Sequence, residues 1–299
     1  MPADVSQPPS HNPALAAVLT VAASALVAVT TLLAKALGTD ALGAPLHPLQ
    51  VSQGRFLFAF LAIATFTALR RPTLTRPDLK LHVVRCGFGW GGVTMLFAAA
   101  VFIPLSDATA ISFLNPVFGM MLAIPFLGER VGRVRWSAAC VALIGACVLT
   151  RPGSGTLELG ALLALASAIL LGAEVIAIKL LAGREAPVQI LLINNAIGVV
   201  IASLAAAFVW ASPTPAQWAA LIGIGTVMVC AQACFVNAMA RADASFVTPF
   251  FFSSLVFAAL YDALIFGVKP DAVSILGAGI ILVGAGLLAW REGRLRSTE

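Results

Sequence analysis

The sequence predicts an all-α integral membrane protein with ten transmembrane helices. They are expected as two inverted five-helix repeats around a central cavity, with N- and C-termini cytoplasmic. Three observations carry this reading: the scarcity of charge, ten apolar segments of membrane-spanning length, and an internal similarity between the two halves. Of 299 residues, 60% are hydrophobic and 10% charged, against roughly 25% charged residues in a soluble domain. Mean hydropathy is +1.00, so most of the surface is built to face something other than water.

A bilayer core about 30 Å thick requires roughly 20 apolar residues as helix, because no water is present there to satisfy exposed backbone groups. Ten segments meet this requirement, near 14–37, 49–69, 82–103, 107–127, 134–151, 158–181, 188–211, 215–239, 244–266 and 272–290. Between them lie short connections such as RRPTLTRPDLK, GERVGRVR, RPGSGTLE, GREAPVQ, SPTPAQ, RADAS and GVKPDA. Each carries the charges, Pro or Gly that end helices. None is long enough for a soluble domain, so function is expected inside the bundle. The opening MPADVSQPPSHNP is polar and lacks a basic n-region, which predicts that the first apolar stretch is retained as a helix rather than cleaved.

Orientation follows from Lys and Arg, which concentrate in short cytoplasmic loops. With the N-terminus inside, fourteen of them, including Arg70, Arg71, Arg76, Arg85, Arg130, Lys179 and Arg241, fall on the cytoplasmic side, and four, Lys35, Arg55, Arg151 and Lys269, on the other. The net charge of +5 is thus explained by topology; the basic residues are scattered and lack the aromatic-interleaved patches of a nucleic-acid binder, and no nucleic-acid partner is expected.

A shift of 143 positions lays Ala23-Ser24-Ala25 on Ala166-Ser167-Ala168 and Thr31 on Glu174. Later segments repeat more loosely: GERVGRVRWSAACVALIGACVL matches GVKPDAVSILGAGIILVGAGLL. Five helices per half is an odd number, so the second half enters the membrane from the opposite side. Such inverted repeats let one half rock against the other around a midplane site. The expected units are a cytoplasmic tail over 1–13, a first repeat over 14–151, a second over 152–291 and a cytoplasmic tail over 292–299.

The stretch DATAISFLNPVFGMMLAIPFLGERVGRVRWSAACVALIGACVLTRPG and its weaker partner DASFVTPFFFSSLVFAALYDALIFGVKPDAVSILGAGIILVGAGLLAW resemble the two EamA-type repeats of the drug/metabolite transporter superfamily. The resemblance runs from about residue 14 to 291. Its most recognisable elements are Gly128-Glu129, Arg55 early in the second segment, and the Gly-rich fifth and tenth segments; the second repeat carries Val268 where the pattern has an acid. The resemblance implies a bacterial inner-membrane carrier that exports amino acids or other metabolites. A smaller set of such proteins takes up riboflavin, S-adenosylmethionine or nucleotide-like compounds.

Charged residues inside a span cost about 2.5–3.5 kcal/mol each on insertion scales, so they face a partner or a wet cavity. Arg55, Glu174 and Asp262 stand out. Arg55 is placed either to bind a carboxylate through two parallel hydrogen bonds or to snorkel to headgroups. Glu174 shares a helical stripe with Ser167, and Ser24 and Thr31 form the equivalent stripe on the first segment, both expected to point inward. Glu174 is a candidate partner for a substrate amine or a coupling proton. Asp262 is a similar candidate in the ninth segment. Asn115-Pro116 is expected to interrupt its helix and free a carbonyl. Gln232 shares a face with Met228, Phe235 and Met239. Trp90 lies in CGFGWGGVT, where Gly87 and Gly91 have GxxxG spacing, and it faces either the cavity or its surroundings.

Asp107 and Asp243 are each read as an N-cap and the GERVGRVR loop as a topology anchor. Cys230 and Cys234 are one turn apart without a nearby His or carboxylate, so neither a metal nor a cofactor is expected. His11, His47 and His82 are read as isolated and outside the spans, which weakens the remote alternative of a membrane enzyme or receptor. No phosphate-binding loop is present, so ATP is not the expected energy source. The expected partners are a small-molecule substrate and lipid, with the chain a monomer or a homodimer.

Overall fold

The structure, a computed structural model, describes residues 11–38, 40–102, 111–112, 114–150, 159–266 and 272–296. All regular structure among the described residues is helical. The main helices are α1 Pro13–Leu37, α2 Pro48–Arg70, α3 Leu79–Phe102, α4 Asn115–Leu127, α5 Arg133–Thr150, α6 Leu159–Ala182, α7 Pro187–Ala206, α8 Pro215–Met239, α9 Ser253–Phe266 and α10 Ala272–Arg296. Among the described residues, five helices, α1, α2, α6, α7 and α8, are long and apolar enough to cross a membrane.

Several starts share one device. Pro13, Pro48, Pro187 and Pro215 each stand in the first turn, where the missing N–H is not needed and the fixed φ suits the helix. Capping side chains precede three of them. Asn12 accepts from the Leu15 amide at 3.1 Å, and the His47 ring from the Leu49 amide at 3.2 Å. Thr214 and Gln217 form a reciprocal capping box, satisfying two free donors at once. At the other end of α4, Gly128 adopts φ +67°, the left-handed cap that glycine provides without steric cost.

Where the observed elements depart from the expected spans, the reasons are local. The seventh helix ends at Ala206 rather than near 211, because the Gln50 side chain captures both backbone groups of Ala211, accepting from its N–H at 3.0 Å and donating to its C=O at 2.6 Å. The ninth segment is not one helix. A turn over Ala244–Val247 is followed by a 3₁₀ stretch Thr248–Phe252 before α9 begins, since Pro249 has no N–H to donate. Within the fourth segment, residues 111–112 are helical, Leu114 is a turn, and helix resumes at Asn115 with Pro116 in its first turn, so the segment is broken just ahead of this proline. The tenth helix continues to Arg296. Residues 103–110, which include Asp107, and residues 151–158 and 267–271 lie outside the described residues.

Helix α1 packs on α8 and α9, α3 and α4 on α6, α2 on α7 and α8, and α5 on α10. Glycines set several of these contacts by letting backbones approach. A Cβ on Gly225 would lie 2.5–2.9 Å from Phe58 and Ala59, on Gly172 2.9 Å from Gly119, and on Gly145 2.9 Å from the Gly277 carbonyl. The α5–α10 pair is thereby a tightly packed scaffold. For α3, Gly89 and Gly92 lie closest to α6, at 2.9 and 2.7 Å for a built Cβ, and Gly91 makes an ordinary contact with Leu170 at 3.5 Å, whereas Gly87 has nothing within 4 Å. This corrects the GxxxG pairing expected of Gly87 with Gly91.

Candidate functional site

A cavity of about 220 Å³ opens among α1, α3, α4, α6, α8 and the 3₁₀ stretch. Its polar lining comprises Arg85, Asn115, Glu174, Gln232 and Thr248; its apolar wall includes Val27, Met228, Phe235 and Phe251. Phe235 and Phe251 meet edge to face with centroids 5.1 Å apart.

The charged centre follows from the α3–α6 crossing. Arg85 and Gly89 are four residues apart and share a face of α3. Because Gly89 has no side chain, the Glu174 carboxylate from α6 lies over it, 2.9 Å from where a Cβ would stand. Arg85 Nε is then 3.8 Å from Glu174 Oε1, an ion pair but too long for a hydrogen bond. Arg85 is only 3% exposed, and its Nε and Nη1 are buried with no hydrogen-bond partner. Glu174 also lies within electrostatic reach of Arg55. Two guanidinium charges therefore act on one carboxylate, at a spacing that leaves hydrogen-bonding capacity for a third party.

Arg85 was expected among the cytoplasmic loop charges. It stands instead inside α3, seven positions along a helix that starts at Leu79, and is the cation that lines the cavity. His82, expected to be isolated and outside the spans, is fully buried on α3 and 3.0 Å from Glu185 Oε2. Glu185 also accepts from Gln189 Nε2 at 2.7 Å and from the Asp78 amide at 2.8 Å. Gln189 in turn takes the Thr75 amide at 2.8 Å. This set fastens the α2–α3 connection to the α6–α7 connection.

Of the residues singled out from the sequence, Asn115, Glu174 and Gln232 line the cavity together. The others lie elsewhere. Ser24 and Ser167 are fully buried with hydroxyls that have no partner, one position away from the α1 wall in the case of Ser24. Thr31 is exposed and bonds back to the Val27 carbonyl at 3.1 Å. The Arg55 guanidinium lies 4.1 Å from the Phe56 ring centroid, a cation–π contact behind the lining. Trp90 is 45% exposed and does not line the cavity. Asp262 is in α9, its side chain outside the described residues.

Two further polar residues escaped sequence reading because they sit on α7, which contributes no lining. Asn195 Nδ2 donates to Gln232 Oε1 at 3.0 Å and to the Leu191 carbonyl at 2.8 Å. Asn194 Oδ1 accepts from the Cys86 thiol at 3.3 Å. The adjacent Asn-Asn pair in an apolar helix was the signal available for them.

At the bundle end beyond the cavity, the GERVGRVR loop does more than anchor topology. Glu129 accepts from the Ala244 and Ser245 amides at 2.8 and 3.0 Å and from Ser245 Oγ at 2.6 Å. It therefore caps the turn that Asp243 was expected to cap. Asp243 occupies the cap position but makes no capping bond, and pairs with Arg135 at 3.0 Å. Lys179 Nζ donates to the Met239 and Ala242 carbonyls, a cation at the C-terminal end of α8 where the helix dipole favours it.

Repeated apolar helices and a partly buried, underpaired charge centre beside a small cavity define a multi-pass membrane protein that handles a solute within its bundle. The chain belongs to the EamA-like transporter family, whose model matches residues 14–151 and 158–290. It is 36% identical over 205 residues to a riboflavin transporter of Rhizobium johnstonii, covering 67% of each chain. It is 26% identical to an S-adenosylmethionine uptake transporter of Rickettsia bellii, over 86% of this chain and 89% of that one. A pseudopaline exporter of Pseudomonas aeruginosa is 27% identical, over 70% of this chain and 75% of its own length. A solved structure superposes with a TM-score of 0.75 at 21% identity, covering 91% of this chain and 97% of the other, which shows that the fold is shared. The family and these relatives are transporters rather than enzymes, and the chain is a membrane transporter of a small molecule.

Proposed function

We propose that the chain is a secondary transporter of the bacterial inner membrane that exports amino acids or related small metabolites by alternating access. The observation that carries the substrate reading is the Arg85–Glu174 pair at the cavity, Arg85 buried and Glu174 half-buried, separated by 3.8 Å. A cation and an anion that do not satisfy each other suit a solute bearing both a carboxylate and an amine. A volume of about 220 Å³ lies below the roughly 300–1,000 Å³ of pockets for drug-sized ligands, which favours a small solute.

Ten spans, two inverted repeats (14–151 and 152–291) and cytoplasmic termini complete the reading. In support, most of the main helix pairings are kept when α1–α5 are exchanged with α6–α10: α1 on α8 becomes α6 on α3, α4 on α6 becomes α9 on α1, and α2–α7 and α5–α10 map onto themselves, while α2 on α8 has only a slighter counterpart in α7 on α3. Hydrogen bonds between connections support opposite senses for the halves. The α1–α2 connection is joined to α7–α8, through Thr214 Oγ1 to the Leu42 carbonyl at 3.0 Å and Gln217 to the Ala44 carbonyl at 2.7 Å. The α2–α3 connection is joined to α6–α7. Helix α1 thus runs towards the bundle end that α6 leaves.

Uptake of riboflavin, S-adenosylmethionine or a nucleotide-like compound is the second reading. It is favoured by the relatives that carry out such uptake and by the Phe235–Phe251 wall, an apolar surface for a flat ring. Counterflow in proteoliposomes with labelled amino acids, riboflavin and S-adenosylmethionine separates the two. Exchange of an amino acid is the expected result; strong riboflavin exchange with none of any amino acid would overturn the export reading.

A further inference from the structure

We infer that Gln232 is a hydrogen-bond donor to the transported solute, and that Asn195, which does not touch the cavity, makes it one. The inference rests on reading this cavity as the transport site.

The orientation of Gln232 is fixed by a group whose chemistry is unambiguous. The Leu191 carbonyl can only accept, so the Asn195 amide atom 2.8 Å from it is the nitrogen, Nδ2. That same nitrogen lies 3.0 Å from the Gln232 side chain. Its second hydrogen needs an acceptor, so the Gln232 atom facing it is Oε1. Both Nδ2 hydrogens are then used, and Gln232 cannot turn over without setting two NH₂ groups against each other in a site where Asn195 is 1% exposed. A buried donor facing a donor forfeits a hydrogen bond on each side. With Oε1 committed to α7, the group that Gln232 presents to the cavity it lines is Nε2, which donates.

Arg85 has no acceptor capacity either. Gln232 and Arg85 together make the cavity a receptor for a solute group rich in acceptor oxygens, with Glu174 as the carboxylate in the lining. The shared chemistry is an acceptor oxygen, supplied either by a carboxylate or by a ring carbonyl. Asn195 is accordingly a positioning residue: it sets which end of Gln232 the solute meets.

The test measures counterflow in proteoliposomes with two labelled probes, L-phenylalanine for the carboxylate and riboflavin for the ring carbonyl. Asn195→Asp replaces the donor with an acceptor and should turn Gln232 around. For the probe that is carried, KM should rise about tenfold, the cost of one well-placed hydrogen bond, with the maximal rate little changed. In a Gln232→Leu background the same substitution should change KM by less than about twofold, because its effect runs through Gln232. Gln232→Glu, which offers only acceptors when ionised, should reproduce the rise with Asn195 intact. The probe whose KM responds identifies the source of the acceptor oxygen. Equal effects of Asn195→Asp with and without Gln232, or an ordinary KM in Gln232→Glu, would overturn the inference and leave the transporter reading standing. If wild-type protein exchanges neither probe nor any other metabolite in the panel, both fall.

Discussion

At the scale of residues, the Arg85–Glu174 pair has opposite consequences for stability and for transport. Removing Glu174 leaves the buried Arg85 uncompensated, at a cost of about 3–5 kcal/mol, and removing Arg85 leaves the half-buried Glu174 unpaired at a smaller cost, while replacing both with neutral groups of similar size is often close to neutral. Arg85→Gln and Glu174→Gln should therefore each lower the melting temperature in detergent, and the double variant should recover most of the loss. Transport should not recover, since neither charge is left for the solute. Double-variant protein that regained both stability and transport would reduce the pair to a structural contact. Glu174 was legible in the sequence as an acid in an otherwise apolar segment. Arg85 was not: it lies close to the basic loop ending at Lys80, and residue counting assigns it to that loop. Only a helix beginning at Leu79 turns it inward, and only the absence of a side chain at Gly89 brings Glu174 beside it.

At the scale of elements, helix existence was legible and helix contacts were not. Apolar length located ten segments, and charges, Pro and Gly marked the connections between them, because both are properties of residues adjacent in sequence. The end of α7 depends on Gln50, 161 positions away, and no local pattern predicts that. The register of α3 is a similar case. CGFGWGGVT holds four glycines, and spacing alone does not say which two face a neighbour; the crossing of α3 with α6 selects Gly89 and Gly92. Paired substitutions follow from this. Gly89→Ala inserts a methyl 2.9 Å from the Glu174 carboxylate and should cost about 1–3 kcal/mol by overpacking, with loss of transport as the carboxylate is displaced. Gly87→Ala, into open space, should raise stability by about 0.5–1 kcal/mol through helix propensity and leave transport intact. Thermal unfolding and counterflow on the two variants check the register, and equal behaviour of the pair would contradict it.

At the scale of the whole molecule, side chains from one half hold the main chain of the other at both ends of the bundle. At one end Gln50 grips Ala211; at the other Gln189 and Glu185 grip Thr75 and Asp78. Each grip is two hydrogen bonds, worth about 0.5–1.5 kcal/mol apiece and somewhat more where a carboxylate accepts, weak enough to be broken and remade in a transport cycle. In the alternating-access cycle proposed above, the two ends would be antagonistic, because a state open at one end is closed at the other. Weakening one closure then shifts population towards states that are tighter at the opposite end. Gln50→Ala should speed hydrogen exchange around Ala211 and slow it around Thr75 and Asp78, while Gln189→Ala should do the reverse. A bundle that does not rock gives a different pattern, in which each substitution speeds exchange locally and leaves the far end unchanged. Peptide-resolved exchange on the two variants distinguishes these outcomes without any knowledge of the solute, and a purely local response in both would remove alternating access as the account of how this cavity reaches the two sides of the membrane.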